Sequence, residues 1–445
     1  MHPRHFAPTS LLLTLLLSAG PALALKTEHV EGNEVVANEV LVKFRTETTE
    51  GLSEAVSANN VEGVERVTKS LVLMRSKDKD VIALMQDLAA RGDVEYAEPN
   101  YLLYPDARPN DPLFGNQYAL ENTGQIIGGV VGVPGADISA VPAWDISTGS
   151  RANVVAVVDT GINYQHPDLV DNVWSAPADF TVTVGGVDIT CPAGSHGFNS
   201  ITNSCDPLDD NGHGTHCSGV IGAVGDNGLG VAGVNWTASI MGAKFLPASG
   251  GGTTANAVKA IDFTIQAKLA FADTAEANVR ILSNSWGGGG FSQSLADAIA
   301  RAQDNDILFV VAAGNGARDI DVAPLYPASY GVGNEVVVAG TNNRDGRYSN
   351  TNYGINTVHL GAPGVRVVST YGSGYASLTG TSMATPQVAG AAALALSVCD
   401  LSTDALKQLL LDTVDPIPSM SGITITGGRL NVFNALSACT AGFGR

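Results

Sequence analysis

Three runs of the chain carry no polar residue at all: Val154–Val158, Ile307–Ala312 and Val336–Ala339. They are short, β-branched and bounded by turn formers, the pattern of strands covered on both faces. Val220–Ala223, Ile240–Phe245 and Val279–Leu282 are shorter strand candidates. Between these runs lie the helical stretches Gly252–Ala270, Gln293–Asp304 and Thr385–Val398. Strand–helix alternation predicts an α/β fold of three layers, α/β/α, with a mostly parallel sheet. Ligands in such sheets sit outside the carboxyl ends of the strands.

The pattern holds only from about residue 105 to 445. Arg4 among histidines, the apolar run Leu11–Leu17 and Ala22-Leu23-Ala24 read as a secretory signal over 1–24. The run is too short to span a bilayer, which takes ~20 residues. Residues 25–104 form a separate small α+β module of two strand–helix units. Its strands are Val35–Phe44 and Val94–Tyr101, and its helices fall over 51–60 and 78–91. Three prolines in Tyr104–Pro112 then mark a linker. The net charge of −19 argues against nucleic acid and anionic membranes as partners.

Three segments carry chemistry. Asp159 ends the apolar strand Val155–Val158. Alone it reads as a turn cap. His213 and His216 stand in the glycine-rich Asn211–Gly219, without the intervening Glu of a zinc-protease motif. Ser382, in Gly380–Ala389, sits where a helix should begin, with Pro386 expected near its first turn. Alone it reads as an N-cap. Together they supply a nucleophile, a base to take its proton and a carboxylate to fix the base's tautomer. No G-x-S-x-G elbow surrounds Ser382, which argues against a lipase or esterase.

The motifs DTGI at 159–162, HPDL at 166–169, NGHGTHCSG at 211–219, SNSWG at 283–287, AAGN at 312–315 and GTSMATPQVAG at 380–390 resemble the subtilisin family of serine peptidases. The chain order Asp, His, Ser is also that of subtilisin. The resemblance covers roughly residues 110–440, and the 25–104 module resembles the family's inhibitor-like propeptide. It implies a secreted, self-processed endopeptidase with Ser382 as nucleophile, His213 as base and Asp159 as its orienting acid. Asn315 is implied as an oxyanion donor beside the Ser382 amide. It also implies a fold with one left-handed crossover. The propeptide would act as intramolecular chaperone and inhibitor of a monomeric enzyme acting on proteins or peptides.

Ser285, Trp286, Gly287, Ala312, Ala313 and Gly314 resemble the walls of the family's first specificity pocket. These uncharged walls predict a large apolar side chain before the scissile bond. A preference for basic residues, from Asp319 and Asp321, is the competing reading. Asp111, Asp168 and Asp226 are candidate ligands of a structural calcium ion, since hard oxygen donors on loops suit that metal. Of the five cysteines, Cys191 and Cys205 bracket a loop with little core of its own, and Cys399 and Cys439 bracket the C-terminal region. Those pairings leave Cys217 as a free thiol beneath His213, as in proteinase K-like relatives. Two other functions remain open: a processing protease of narrow specificity, and a catalytically dead homologue that only binds.

Overall fold

The computed structural model describes residues 26–30, 33–45, 49–102 and 107–443. The signal segment and residues 104–106 of the linker lie outside them. The chain divides between Pro105 and Asp106 into two compact units.

The first unit is an antiparallel sheet of five strands with two helices, Thr49–Ala58 and Val81–Ala89. Asn33–Phe44 pairs with Thr27–Val30, Leu71–Ser76 and Val94–Tyr101. Alternation along it sends Val40, Val42 and Phe44 into a core with Val72, Met74, Leu84 and Leu88. Asp80 caps the second helix, accepting from the Ala83 amide at 2.8 Å. Three strands escape the sequence pattern of two strand–helix units: Thr27–Val30, Val61–Arg66 and Leu71–Ser76. Val61–Arg66 is an edge strand with no buried side chain, so it shows no apolar alternation.

In the second unit seven strands build one sheet: β1 (Gly149–Asp159), β2 (Gly197–Asn199), β3 (Thr237–Lys244), β4 (Val279–Asn284), β5 (Leu308–Ala312), β6 (Glu335–Thr341) and β7 (Leu360–Pro363). Their spatial order is β2-β3-β1-β4-β5-β6-β7, and every neighbouring pair is parallel. The short segments Gly428–Arg429 and Asp415–Pro416 extend the sheet beyond β7, the last of them antiparallel. The sheet separates two cores. Val155, Val157, Ile281, Leu308, Val310, Val336 and Val338 face one side, and Val154, Ala156, Val158, Leu282, Phe309, Val311 and Val337 the other. Period-two alternation of wholly apolar strands gives each core its share, and helices cover both faces.

Helices α1 (His213–Gly222) and α4 (Thr381–Leu396) pack into the first core, α2 (Thr254–Ala270) and α3 (Gln293–Asp304) into the second. Val220–Ala223, a strand candidate in the sequence, is instead the end of α1 and its cap. Four apolar residues cannot separate a buried strand from a buried helical turn. Pro386 is the sixth residue of α4 rather than part of its first turn. Its missing N–H frees the Ser382 carbonyl, which accepts instead from Ser285 Oγ at 2.9 Å and Cys217 Sγ at 3.5 Å.

Cys191 is joined to Cys205 and Cys399 to Cys439, while Cys217 is free and buried. The first bridge ties the loop after the hairpin Phe180–Val184/Val187–Cys191 back to that hairpin. Among the described residues no helix is long and apolar enough to cross a membrane.

Candidate active site

The topological switch lies at β1. From there the chain crosses to β2 at the sheet edge and returns to β3 beside β1, then runs outward through β4 to β7 on the other side. The carboxyl ends of β1, β4 and β5 therefore open on one crevice. Asp159 is the last residue of β1, Ser285 follows β4, and Ala313–Asn315 follow β5. The N-termini of α1 and α4 bring His213 and Ser382.

Asp159 is wholly buried. Its Oδ1 accepts from His213 Nδ1 at 2.8 Å and from the Thr160 amide at 2.7 Å. The tautomer is thereby set, and Nε2 of His213 is left as the acceptor nitrogen. The Asp159 charge, opposed by burial, raises the His213 pKa above its usual 6.5. His216, three residues on, is a different group. It is buried, its Nε2 donates to the carbonyls of Val367 and Ala376, and burial lowers its pKa to about 4.

Asp209 folds the loop that carries His213. Its carboxylate accepts from the amides of Asn211, Gly212 and Thr215 and from the Thr215 hydroxyl at 2.6–3.0 Å. Burial raises its pKa, but these donors outweigh burial and keep it ionised. Lys244, at the end of β3, donates to the carbonyls of Thr160 and Leu246 and pairs with Asp210 at 2.6 Å. It ties the end of β1 to the crevice wall.

Ser382 Oγ donates to the Ser285 carbonyl at 3.1 Å rather than to the imidazole. Beneath it, Cys217 Sγ lies within 4.8 Å of the nearest Asp159 and His213 ligand atoms. Burial pushes the Cys217 thiol well above its usual pKa, so it is a small hydrophobe and not a thiolate. Asn315 Oδ1 accepts from the Thr381 amide at 2.9 Å and hydroxyl at 3.2 Å. That use of its oxygen leaves the Nδ2 hydrogens as donors.

A cavity of about 480 Å³ adjoins Ser382 and Asn315. Ser285, Trp286, Gly287, Ala312 and Gly314 line it. Ala313 does not belong to that wall: its side chain is buried in the core and its amide bonds to Val338. Gly314 sits at φ +95°, where a Cβ would lie 2.4 Å from Leu325 and 2.6 Å from Asn352, so only glycine fits. Trp286 separates this cavity from a second one of about 300 Å³ walled by Phe245, Leu246, Tyr326 and Tyr330.

Asp111 and Asp168 meet in another buried cluster. The Asp226 amide donates to Asp111 Oδ2, while Asn227 Nδ2 and the Val231 amide donate to Asp168. Asp111 Oδ1 is buried without a partner among the described residues. Burial raises both pKa values, and the Asp168 charge adds to the rise at Asp111. The Asp226 carboxylate accepts from the Asn110 amide.

An imidazole held by a buried carboxylate, beside a serine at a helix N-terminus, defines the class: this is a serine endopeptidase. Residues 150–438 match the model of the subtilase family of S8 peptidases, and residues 24–100 match the fervidolysin N-terminal prodomain. The chain belongs to the subtilase family. It is 31% identical to a thermophilic serine proteinase of Bacillus sp. (strain AK1), over 93% of this chain and 90% of that protein. It is 36% identical to thermitase of Thermoactinomyces vulgaris, over 74% and 99%. It is 32% identical to an extracellular protease of Xanthomonas campestris pv. campestris, over 98% and 77%. A solved protease of Pseudoalteromonas arctica PAMC 21717 superposes with a TM-score of 0.59 at 28% identity, covering 74% of this chain and 99% of that one.

Sequence reasoning missed Thr381, Asp209 and Lys244. Only Thr381 had a local signal, as the residue before the serine in Gly380-Thr381-Ser382.

Proposed function

We propose that Ser382 attacks a peptide carbonyl, that His213 Nε2 takes its proton, and that Asp159 holds the imidazole and stabilises its cation. The 2.8 Å bond from His213 Nδ1 to the buried Asp159 carries this reading. Asn315 Nδ2 and the Ser382 amide, at the positive end of α4, would stabilise the oxyanion. His213 then protonates the leaving amine, and water releases the acyl group. Ser283–Gly287 would pair with an extended substrate through its main chain. A substrate N–H taking the Ser285 carbonyl would release the Ser382 hydroxyl toward His213.

The uncharged residues Ser285, Trp286, Gly287, Ala312 and Gly314 of the cavity, with Leu325, favour a large apolar side chain before the scissile bond. Asp319 and Asp321 do not line it, which weighs against a basic preference. The enzyme is read as an exported monomer, made as a precursor whose prodomain assists folding, inhibits and is then cut off. Digestion of a complex peptide mixture, read by mass spectrometry, tests the function. Many cleavages after Leu, Phe, Tyr or Met are expected. Cleavage confined to one or two sequences would mean a narrow processing protease, and failure to label with a fluorophosphonate would mean a dead homologue.

Asp111 and Asp168, with the loop at Asp226 and Asn227, fit a calcium ion: two buried carboxylates share one place, and one oxygen has no partner among the described residues. Bound there, the ion would cancel their repulsion and brace the segments 110–111, 168 and 226–231. An ion held only by the fold adds about 2.7 kcal/mol at one hundred times its Kd. Chelation is therefore expected to lower the thermal midpoint by about 5 °C. Identical melting curves with and without chelator would remove the site.

A further inference from the structure

The cavity beside Ser382 is lined by one charged residue, Arg318. Nothing in the motifs points to it, and it lies three residues past Asn315. Its backbone is fixed. Asn352 Oδ1 accepts from the amides of Gly316 and Arg318, at 2.9 and 3.2 Å, and Asn352 Nδ2 donates to the Ala313 carbonyl at 2.8 Å. Tyr353 donates its amide to the Arg318 carbonyl. The aliphatic stem of Arg318 lies along Gly316, its Cγ and Cδ 3.7 Å from where a Cβ of that glycine would stand.

The guanidinium is exposed and makes no ion pair or hydrogen bond with the described residues. The acids next to it in sequence are turned to other work. Asp319 Oδ1 accepts from the Asp321 amide at 2.9 Å. Asp321 Oδ2 accepts from the amide and side chain of Asn356, at 2.9 and 3.0 Å. An unpaired cation on a rigid loop, at the edge of an otherwise uncharged cavity, discriminates by charge whatever enters it.

We propose that Arg318 is a specificity-determining residue: it admits a glutamate side chain before the scissile bond, alongside large apolar ones, and disfavours lysine and arginine there. This rests on the reading that the cavity receives that side chain. The substrates so defined are acidic and apolar protein segments rather than basic ones. Because the guanidinium is exposed, the effect is modest and sensitive to salt.

Four quenched peptides that differ only at the position before the intended cut, bearing Leu, Gln, Glu or Lys, test it. Glu and Gln are nearly isosteric, so their ratio of kcat/KM reads charge alone. At low salt the Glu:Gln ratio is expected to be about 2–5, with Lys below Gln by a similar factor. Both ratios should move toward one in about 0.5 M salt. Arg318→Gln should bring both to one at any salt, and Arg318→Glu should invert them. Ratios within one enzyme cancel any general loss of activity in the variant. If the Leu peptide is cut after Leu but the Glu:Gln ratio is the same in wild type and Arg318→Gln, the Arg318 proposal falls and the cavity reading stands. If the Leu peptide is not cut after Leu, the cavity reading fails and takes this proposal with it.

Discussion

Ser382→Ala is expected to leave the precursor whole. The purified variant should retain the prodomain, uncut between residues 101 and 110, whereas the wild type should separate into prodomain and peptidase. The substitution removes one oxygen whose hydrogen bond goes to the Ser285 carbonyl. It leaves the Ser382 carbonyl with its donors Ser285 and Cys217, because those contacts use the main chain. The fold should therefore survive while the nucleophile is lost. In subtilisin, the relative on which the loss was measured, removing this serine costs about 10⁶ in kcat, and a loss of that order is expected here. Adding a trace of wild-type enzyme should cut the Ser382→Ala precursor in the linker, which separates an uncleavable junction from a missing nucleophile. Trimming of the purified variant at the wild-type rate, with no second protease present, would overturn self-processing.

What was legible in the sequence follows from how each feature is encoded. The strands β1, β5 and β6 are apolar on both faces, so their composition alone reveals them. Asp159, His213 and Ser382 stand inside motifs whose glycines and small residues are needed for chain reversal and close approach. Other features are set by tertiary contact. Thr381, Asp209 and Lys244 are ordinary residue types that matter only through the groups they meet, 66, 6 and 84 positions away in sequence. Ala313 was misplaced because successive residues leaving a strand face opposite ways, and a motif does not say which of them meets the cavity. Arg318 was overlooked for a different reason. The acids Asp319 and Asp321 put charge in the right loop, but Asp319 is held by the loop's own backbone and Asp321 by Asn356.

Asp159→Asn tests the electrostatics of the base. Asn is the same size as Asp, and burying a neutral amide costs less than burying a carboxylate, one oxygen of which has no partner among the described residues. The melting temperature should stay within a few degrees of wild type. Activity should nevertheless fall about 10⁴-fold in kcat, the loss that follows when a triad aspartate is amidated and the imidazole no longer holds the right tautomer. The pH profile adds an independent sign. In the wild type the Asp159 charge is the largest influence on His213 and raises its pKa, with burial opposing it and the Asp209 charge assisting. The base must be neutral to accept the serine proton, so wild-type kcat/KM is lost as pH falls through that raised value, above 6.5. Without Asp159 the largest raising influence is gone and burial remains, so the acid limb should move to lower pH even as the plateau drops. An acid limb that stays in place in Asp159→Asn would mean that a group other than His213 controls it. A limb that moves down with the fold intact would assign both the base and its orienting acid from one variant.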